Sequence, residues 1–446
     1  MKKFLIFAVF CIGVFVSFFL FPDGAVASVL SGVVCITALL LIDKIFESKS
    51  AEFLKSVFLV ALILRILPAL MISLMGWENV FGPDAVTFDI AGQRIVGYWT
   101  GTMNINSWGV ERATSFSESG WGMHYLVGII YYFSGRNPLA IQFLSCTAGA
   151  AAVPCVYYCA NKIFNNMRVA KTSALAVALF PAMILWSSQM LKDGFIIFFL
   201  LLSMALIIKL HQDFDYRAVL ALLFSLLALF SLRSYIFYMV TAAIIGSFIV
   251  GAGRTSEAIG KRMAVLLLIG AAAGYFGFGG SSTGTNNTYN IERLQKYRHY
   301  QAEGSNSGFG EGYDVTTVEG TVTLLPIGIV FILFAPFPWQ MDNARQILIA
   351  PEMLIWWLCI PFLIKGIWFT VKTRLREAIP ILTFSGMLTV AYALFQSNIG
   401  AAYRQRTQIQ VFLFIFVAVG WTLYKENKEN RDFTFKNRHK KVITGF

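Results

Sequence analysis

The sequence predicts an all-α polytopic membrane protein with about 12 transmembrane helices, within a range of about 11 to 14. Of its 446 residues, 57% are hydrophobic and only 13% are charged, whereas about a quarter of a soluble globular protein is charged. Apolar runs such as 4–21, 218–232 and 379–395 approach the roughly 20 residues that a helix needs to cross a bilayer. They lack the alternation of membrane β-strands, so we expect one membrane-embedded domain over residues 1–446.

The first apolar run follows Lys2 and Lys3, as the core of a signal peptide would. It is longer than an ordinary signal-peptide core and has no small-x-small cleavage pattern at its end. We therefore interpret residues 3–22 as a retained first span. The later apolar runs predict spans at about 26–43, 56–76, 138–162, 171–188, 194–210, 217–232, 234–250, 263–278, 352–371, 378–395 and 408–424.

The distribution of charge predicts the orientation of these spans. The net charge is +12, and the excess lies in short loops and in a basic tail, 425–446. Such an excess is typical of the cytoplasmic side of a membrane protein, so no nucleic-acid partner is expected. Both termini are predicted to be cytoplasmic, in a multi-pass protein of the cytoplasmic (inner) membrane.

Two large loops, 77–137 and 279–351, are then predicted on the outer face. Each contains an apolar segment, 125–133 or 322–337, whose length and flanking prolines favour an interfacial helix over a full crossing. The alternative is that both segments cross, which would give fourteen spans and move the loops between them to the other side. The charge distribution argues against that alternative.

Cysteine and histidine give little sign of a cofactor. All six cysteines lie in apolar runs, where a thiol usually packs as a small apolar group, so no disulfide is expected in an outer loop. The four histidines are scattered, which argues against a histidine-based metal site. No cofactor is certain from the sequence, and a divalent metal is left open.

Charged residues collect at the predicted outer rim, between apolar spans. Ionisable groups at a membrane edge are costly and are functional candidates. Lysine and arginine there can hold a phosphate, and a carboxylate can act as a general base. The candidates are Asp84, Asp89, Lys192, Asp193, Arg233, Tyr235, Arg404 and Arg406.

Each candidate also has a purely structural interpretation. Asp84 follows Gly82-Pro83 and could cap the helix after it. Asp89 lies five positions further on and would point about 140° away around a helix, so it is expected beside the site rather than at the reacting atoms. The pair Lys192-Asp193 could be an ordinary interfacial turn, and the arginines could extend to the membrane surface from helix ends. A mid-span arginine, Arg65, must face the bundle interior, where a structural partner is expected.

The order of these features resembles the GT-C superfamily of polyprenyl-phosphate-sugar-dependent glycosyltransferases, particularly the protein O-mannosyltransferase and aminoarabinose-transferase group. The resemblance is clear over about 56–250 and architectural elsewhere. It is carried by Asp84, Phe88 and Ala91, by Phe-Ser-Gly at 133–135, by Asn-Lys-Ile-Phe at 161–164, by Ala-Leu-Phe-Pro at 178–181, and by the segment 186–193.

The resemblance implies that Asp84 is the catalytic base of an inverting displacement at the anomeric carbon. It also implies an undecaprenyl- or dolichyl-phosphate-linked sugar donor and a glycan, lipid or protein acceptor at the outer face of the membrane, as in cell-envelope polysaccharide biosynthesis. The chain departs from the family where Ala85 replaces the glutamate that protein O-mannosyltransferases have after their aspartate. Two additional spans also precede the catalytic loop.

Two other functions compete with this one. A polysaccharide polymerase of the O-antigen type would use a diphosphate-linked donor and would not depend on Asp84. A lipid-linked saccharide flippase or transporter would place its site near the bilayer midplane, where Arg65 is the main candidate. Against transport, the loops are unequal, the two halves of the chain do not match, and the charged candidates collect at one rim.

Overall fold

The structure is a computed structural model that describes residues 15, 18, 24–78, 82–250, 291–303, 308–310, 312–341 and 344–443. Of residues 248–250, 291–294, 344–348 and 431–443 only the backbone is described. The predicted span 263–278 lies outside these ranges, and the predicted span 3–22 lies almost wholly outside them.

The described residues form helices, as the sequence predicts, and no strand occurs among them. In chain order they are α1 (Gly24–Ile45), α2 (Ser48–Met75), α3 (Asp84–Trp99), α4 (Val110–Thr114), α5 (Trp121–Ser134), α6 (Pro138–Phe164), α7 (Met167–Leu179), α8 (Pro181–Ser187), α9 (Asp193–Gln212), α10 (Tyr216–Leu232), α11 (Ser234–Val250), α12 (Ile291–Glu303), α13 (Val318–Phe334), α14 (Ala344–Thr373), α15 (Leu375–Phe395) and α16 (Ile399–Ile443), with a short 3-10 turn at Pro338–Gln340.

Seven of the described helices are long and apolar enough to cross a membrane, namely α1, α2, α6, α9, α14, α15 and the part of α16 up to Asn430. The pair α7 and α8, bent by 52°, makes an eighth if it is one span. Helices α10, α11 and α13 are apolar but shorter. Every predicted span inside the described ranges coincides with a helix or with this bent pair, while the total of about 12 stays a prediction.

Helix α6 lies at the centre of the bundle and packs against α1, α2, α7 and α9. Its contact with α9 depends on a glycine at the start of α9. A Cβ on Gly194 would lie 2.7 Å from the carbonyl oxygen of Ser145, closer than a real Cβ approaches such an atom. The absence of a side chain at position 194 therefore allows the N-terminus of α9 to pack directly against α6.

The bend between α7 and α8 explains the partners of Arg65. Pro181 begins α8 and has no N–H to continue the helix, so carbonyl groups at the end of α7 lack helical partners. The guanidinium of Arg65 donates to the carbonyl oxygens of Val177 (3.1 Å) and Ala178 (3.2 Å) and to the hydroxyl of Ser187 (2.9 Å). Arg65 also donates to the carbonyl oxygen of Ala61 in its own helix (2.9 Å). It is buried and has the structural role that the sequence predicts, although its partners in the described residues are uncharged oxygens rather than a carboxylate.

The loop 77–137 folds into α3, α4 and α5, and the segment predicted as an interfacial helix lies in α5. Helices α3 and α5 pack closely because Gly128 of α5 has no side chain. A Cβ at this position would lie 2.7 Å from the side chain of Ile95 in α3. On α5, Tyr132 and Phe133 are exposed. The location of α5 at the membrane surface stays a prediction.

The second segment predicted to be interfacial is α13. It packs along α15, where Gly328 contacts the backbone of Ala393. It is therefore an element of the helical bundle, and its location at the membrane interface stays a prediction. Nearby, Arg298 of α12 donates to the carbonyl oxygens of Leu394 (2.6 Å), Gln396 (3.0 Å) and Gly310 (3.1 Å), so α12 is fixed to the end of α15.

Candidate active site

Five charged side chains from four separate parts of the chain meet at one end of the bundle. We call this group the polar cluster, and its members are Asp84, Lys192, Asp193, Arg233 and Arg404. They lie at the start of α3, before and at the start of α9, between α10 and α11, and near the start of α16. Because charge is costly in the interior of an apolar bundle, these five residues lie at or near helix ends, where the fold brings them together.

Arg404 joins the two carboxylates of the cluster. Its Nη1 donates to Oδ2 of Asp84 at 2.6 Å, across 320 positions of sequence. Its Nε and Nη2 donate to Oδ2 of Asp193 at 2.8 and 2.6 Å. The planar guanidinium presents several donors in fixed directions, so one side chain holds both acids and ties the last long helix to the first large loop.

The two carboxylates have different surroundings. The Asp84 side chain is 55% exposed, while that of Asp193 is fully buried. Asp84 is the first residue of α3, whose N-cap position is taken by Pro83, and its carboxylate accepts from Arg404. Asp193 lies between Arg404 and Arg233, whose Nη2 is 3.7 Å from Oδ1 of Asp193. The accessible acid of the cluster is therefore Asp84.

Arg233 connects the cluster to a row of hydroxyl groups. It ends α10 and is buried, and its Nη1 donates to the phenol oxygen of Tyr235 at 3.1 Å. The phenol oxygens of Tyr235 and Tyr392 are 3.1 Å apart, and the hydroxyl of Tyr392 donates to Oε1 of Gln408 at 2.6 Å. These contacts fix the direction of the Arg233 side chain toward Asp193.

The acidity of Lys192, which directly precedes α9, is strongly altered. Burial, together with the positive charge of Arg233, lowers the pKa of its ammonium to about 7. Its Nζ lies 5.9 Å from the ring centre of Phe88 and donates no hydrogen bond to the described residues. A Cβ on Gly120 would lie 2.8 Å from this Nζ, so a glycine leaves the space that the ammonium occupies.

The cluster carries a positive excess when Lys192 is protonated. Three cations against two carboxylates give 3 − 2 = +1. The ammonium of Lys192, which has no hydrogen bond among the described residues, lies in the same cluster as the half-exposed carboxylate of Asp84. The arrangement can therefore accept an anion next to a base.

Asp89 and Arg406 are outside the polar cluster. The carboxylate of Asp89 accepts from Arg136 Nη2 at 2.7 Å and from the Tyr131 hydroxyl at 2.7 Å. Burial acts to raise the pKa of Asp89, but these hydrogen bonds outweigh it and lower the pKa. Arg406 is buried and donates to the carbonyl oxygen of Ala335 at 2.7 Å, so it secures the end of α13. A substrate contact for either residue stays a prediction.

Two side chains near the site were not singled out from the sequence. His124 of α5 faces Phe88, with ring centres 5.8 Å apart, and its buried Nδ1 has no hydrogen-bond partner in the described residues. Burial lowers the pKa of this imidazole, so it is neutral at pH 7. Tyr297 of α12 lies close enough for the charges of Arg233 and Asp84 to act on its phenol, although burial is the main cause of its raised pKa.

No group of three or more histidine, cysteine, aspartate or glutamate side chains that could hold a metal ion occurs in the described residues. The cysteines there, at positions 35, 146, 155, 159 and 359, are free.

The sequence model of the dolichyl-phosphate-mannose-protein mannosyltransferase family matches residues 120–276, about a third of the chain. This segment contains Lys192, Asp193 and Arg233 but neither Asp84 nor Arg404. Searches among curated proteins and among solved structures gave no match. Together, the family match and the apolar helices support a multi-pass membrane glycosyltransferase of the GT-C type.

Proposed function

We propose that the chain transfers a sugar from a polyprenyl-phosphate-linked donor to a glycan, lipid or protein acceptor at the outer face of the cytoplasmic membrane. The observation that carries this proposal is the pairing of the accessible carboxylate of Asp84 with Arg404, beside Lys192 and Arg233. A base next to several cations suits a reaction in which a proton is removed and a phosphate departs.

In this mechanism Asp84 takes the proton from the acceptor hydroxyl. The acceptor oxygen forms a new bond to the anomeric carbon while the bond from that carbon to the phosphate oxygen breaks. The electron pair of the broken bond leaves with the lipid phosphate, and the configuration at the anomeric carbon inverts. Such a proton transfer is typically worth about 10²–10⁴-fold in rate.

The cations of the cluster would hold the departing phosphate. Negative charge grows on the phosphate as its bond to the sugar breaks, and fixed positive charge stabilises that change most when water is excluded. Arg404 and Arg233 are buried or nearly so and are oriented by Asp193. Asp193 is thus assigned a positioning role, because its carboxylate is enclosed by arginines, whereas Asp84 is open to an acceptor.

The decisive experiment replaces Asp84 with asparagine. Purified protein is incubated with a panel of lipid-phosphate and lipid-diphosphate sugars, and the products are identified by mass spectrometry. We expect Asp84→Asn to lower transfer from the monophosphate donor by about 10²–10⁴-fold. Asp43→Asn is the matched control, because Asp43 also forms an exposed ion pair, with Lys55 at 2.6 Å, away from the cluster.

The other outcomes separate the alternatives. Full activity of Asp84→Asn with a diphosphate-linked donor would favour a polymerase. The absence of any new glycosidic bond with every donor, in folded wild-type protein, would favour a flippase or transporter.

A further inference from the structure

A basic groove lies at the end of the bundle opposite the polar cluster. It has a volume of about 740 Å³ and is formed by α14 and α16. Lys365, Lys372 and Lys428 line it together with Trp368 and Tyr424. None of these three lysines forms an ion pair with a carboxylate of the described residues.

The groove follows from the way in which the two helices cross. Gly366 of α14 contacts the carbonyl oxygen of Phe416, and Gly420 of α16 contacts the carbonyl oxygen of Phe362. Glycine permits this backbone contact because it has no Cβ. On the C-terminal side of this contact both helices carry the larger side chains that line the groove.

The position of the groove corresponds to the far surface of a bilayer. Arg404 and Lys428 are on the same helix, α16, and are 24 residues apart (428 − 404). At about 1.5 Å per residue the helix covers about 36 Å between them, slightly more than the roughly 30 Å of a hydrocarbon core. If the polar cluster is at one membrane surface, the lysines of the groove are at the other.

The exposed side of α14 changes character along its length. Exposed residues recur at steps of three or four, which place them on one face of a helix. This face begins with Leu354 and Leu358, the latter 72% exposed, and continues through Lys365 and Trp368 to Lys372. The apolar residues of this face could contact the acyl chains of a lipid, and the lysines at its end could contact an anionic head group.

Trp368 supports the same interpretation. The residue is 63% exposed, and Nζ of Lys372 lies 4.3 Å from the centre of its ring. Tryptophan is enriched where the hydrocarbon of a membrane meets its head groups. Exposed lysine ammonium groups at that level attract anionic lipids.

We propose that this groove binds an anionic phospholipid of the leaflet opposite the polar cluster. The lysines contact the head-group phosphate, and the acyl chains lie along Leu354 and Leu358. The site is separate from the proposed sugar transfer and does not depend on it.

The test compares two charge-matched triple variants by native mass spectrometry. One is Lys365→Gln/Lys372→Gln/Lys428→Gln. The control is Lys44→Gln/Lys49→Gln/Lys162→Gln, at three lysines predicted on the same membrane side as the groove. Full-length protein in detergent is titrated with phosphatidylglycerol and, separately, with phosphatidylcholine of the same acyl composition.

We expect the groove variant to bind phosphatidylglycerol at least about tenfold more weakly than the wild type, since each surface cation contributes measurably. The control variant should bind it as the wild type does, and phosphatidylcholine should bind all three proteins equally. Equal loss in both variants, or no preference for phosphatidylglycerol in the wild type, would overturn the proposal. So would displacement of the lipid by millimolar inorganic phosphate, which would identify a site for a soluble anion.

Two single variants keep the proposal testable if the groove triple variant does not fold. Lys372→Gln removes one charge, and Trp368→Leu keeps every charge but removes the interfacial ring. Each is expected to weaken phosphatidylglycerol binding at least about twofold. Unchanged binding in both would also overturn the proposal.

Discussion

The residues of the polar cluster were accessible from the sequence because charge is rare in this chain. A charged side chain between two apolar runs must lie at a helix end, and five such positions meet in the structure around Arg404. Helix geometry separates Asp89 from Asp84, and the same geometry also separates the two arginines at the start of α16. Residues two apart on a helix point about 200° apart, so Arg404 and Arg406 could not both face the same site.

His124 and Tyr297 were missed for a related reason. Each lies in a segment with several aromatic residues, which are common wherever a chain meets a membrane surface. Their relevance comes only from the tertiary packing that brings α5 and α12 beside Phe88 and Arg233.

The lowered pKa of Lys192 predicts that donor binding depends on pH. Its pKa is lowered from 10.5 to about 7, so the ammonium is protonated below pH 7 and loses its charge as the pH rises through this value. If it helps to hold the donor phosphate, the KM for the donor should rise by about tenfold between pH 6 and pH 8, in proportion to the loss of the charged form. Donor KM measured at fixed acceptor concentration across this range provides the test.

The control for this pH profile is Lys192→Arg. Arginine stays charged over the whole range, so the KM of the variant should be nearly constant from pH 6 to pH 8. A wild-type KM that does not change with pH, or a variant that changes as the wild type does, would remove Lys192 from donor binding.

At the scale of elements, the apolar runs located the helices well but not their breaks. Residues 171–188 read as one span, yet the structure has α7 and α8 with a bend of 52° between them. Pro181 marked the break, because proline is favoured at the first position of a helix and disfavoured inside one. The partner of the freed carbonyl groups, Arg65, comes from α2 and could not be inferred from local sequence.

The packing of α9 against α6 is predicted to be sensitive to a side chain at position 194. Alanine at this position would place a Cβ 2.7 Å from the carbonyl oxygen of Ser145, a backbone atom that cannot turn aside. Gly194→Ala should therefore destabilise the protein by about 1–3 kcal/mol, as overpacking usually does. It should also lower sugar transfer, because Asp193 is the adjacent residue.

Gly246→Ala is the matched control. Gly246 is in apolar helix α11, and among the described residues no atom outside its local helix lies within 4 Å of a Cβ built there. Alanine has the higher helix propensity, so this variant should be as stable as the wild type or slightly more stable. Thermal unfolding in detergent compares the two variants, and equal melting temperatures would contradict the proposed seating of α9.

At the scale of the whole molecule, the long helix α16 links the two ends that the proposals assign to opposite membrane surfaces. Its start holds Arg404 in the polar cluster, and its other end lines the basic groove. Arg168, at the start of α7, pairs with Glu429 at 2.8 Å, so a further basic residue lies at the groove end. The charge distribution predicts a cytoplasmic location for that end, which stays a prediction.

Sidedness is testable by labelling single introduced cysteines in intact cells. Asn106→Cys lies in the exposed segment between α3 and α4, and Asn427→Cys lies at the groove. A membrane-impermeant maleimide should label Asn106→Cys in intact cells but should label Asn427→Cys only after permeabilisation. The wild-type protein gives the background, because its described native cysteines are buried or half-buried.

The reverse pattern would place Asp84 in the cytoplasm, away from an acceptor at the outer surface, and would also put the groove in the opposite leaflet. Labelling of both positions in intact cells would mean that α16 does not cross the bilayer, since one continuous helix of about 36 Å separates Arg404 from Lys428.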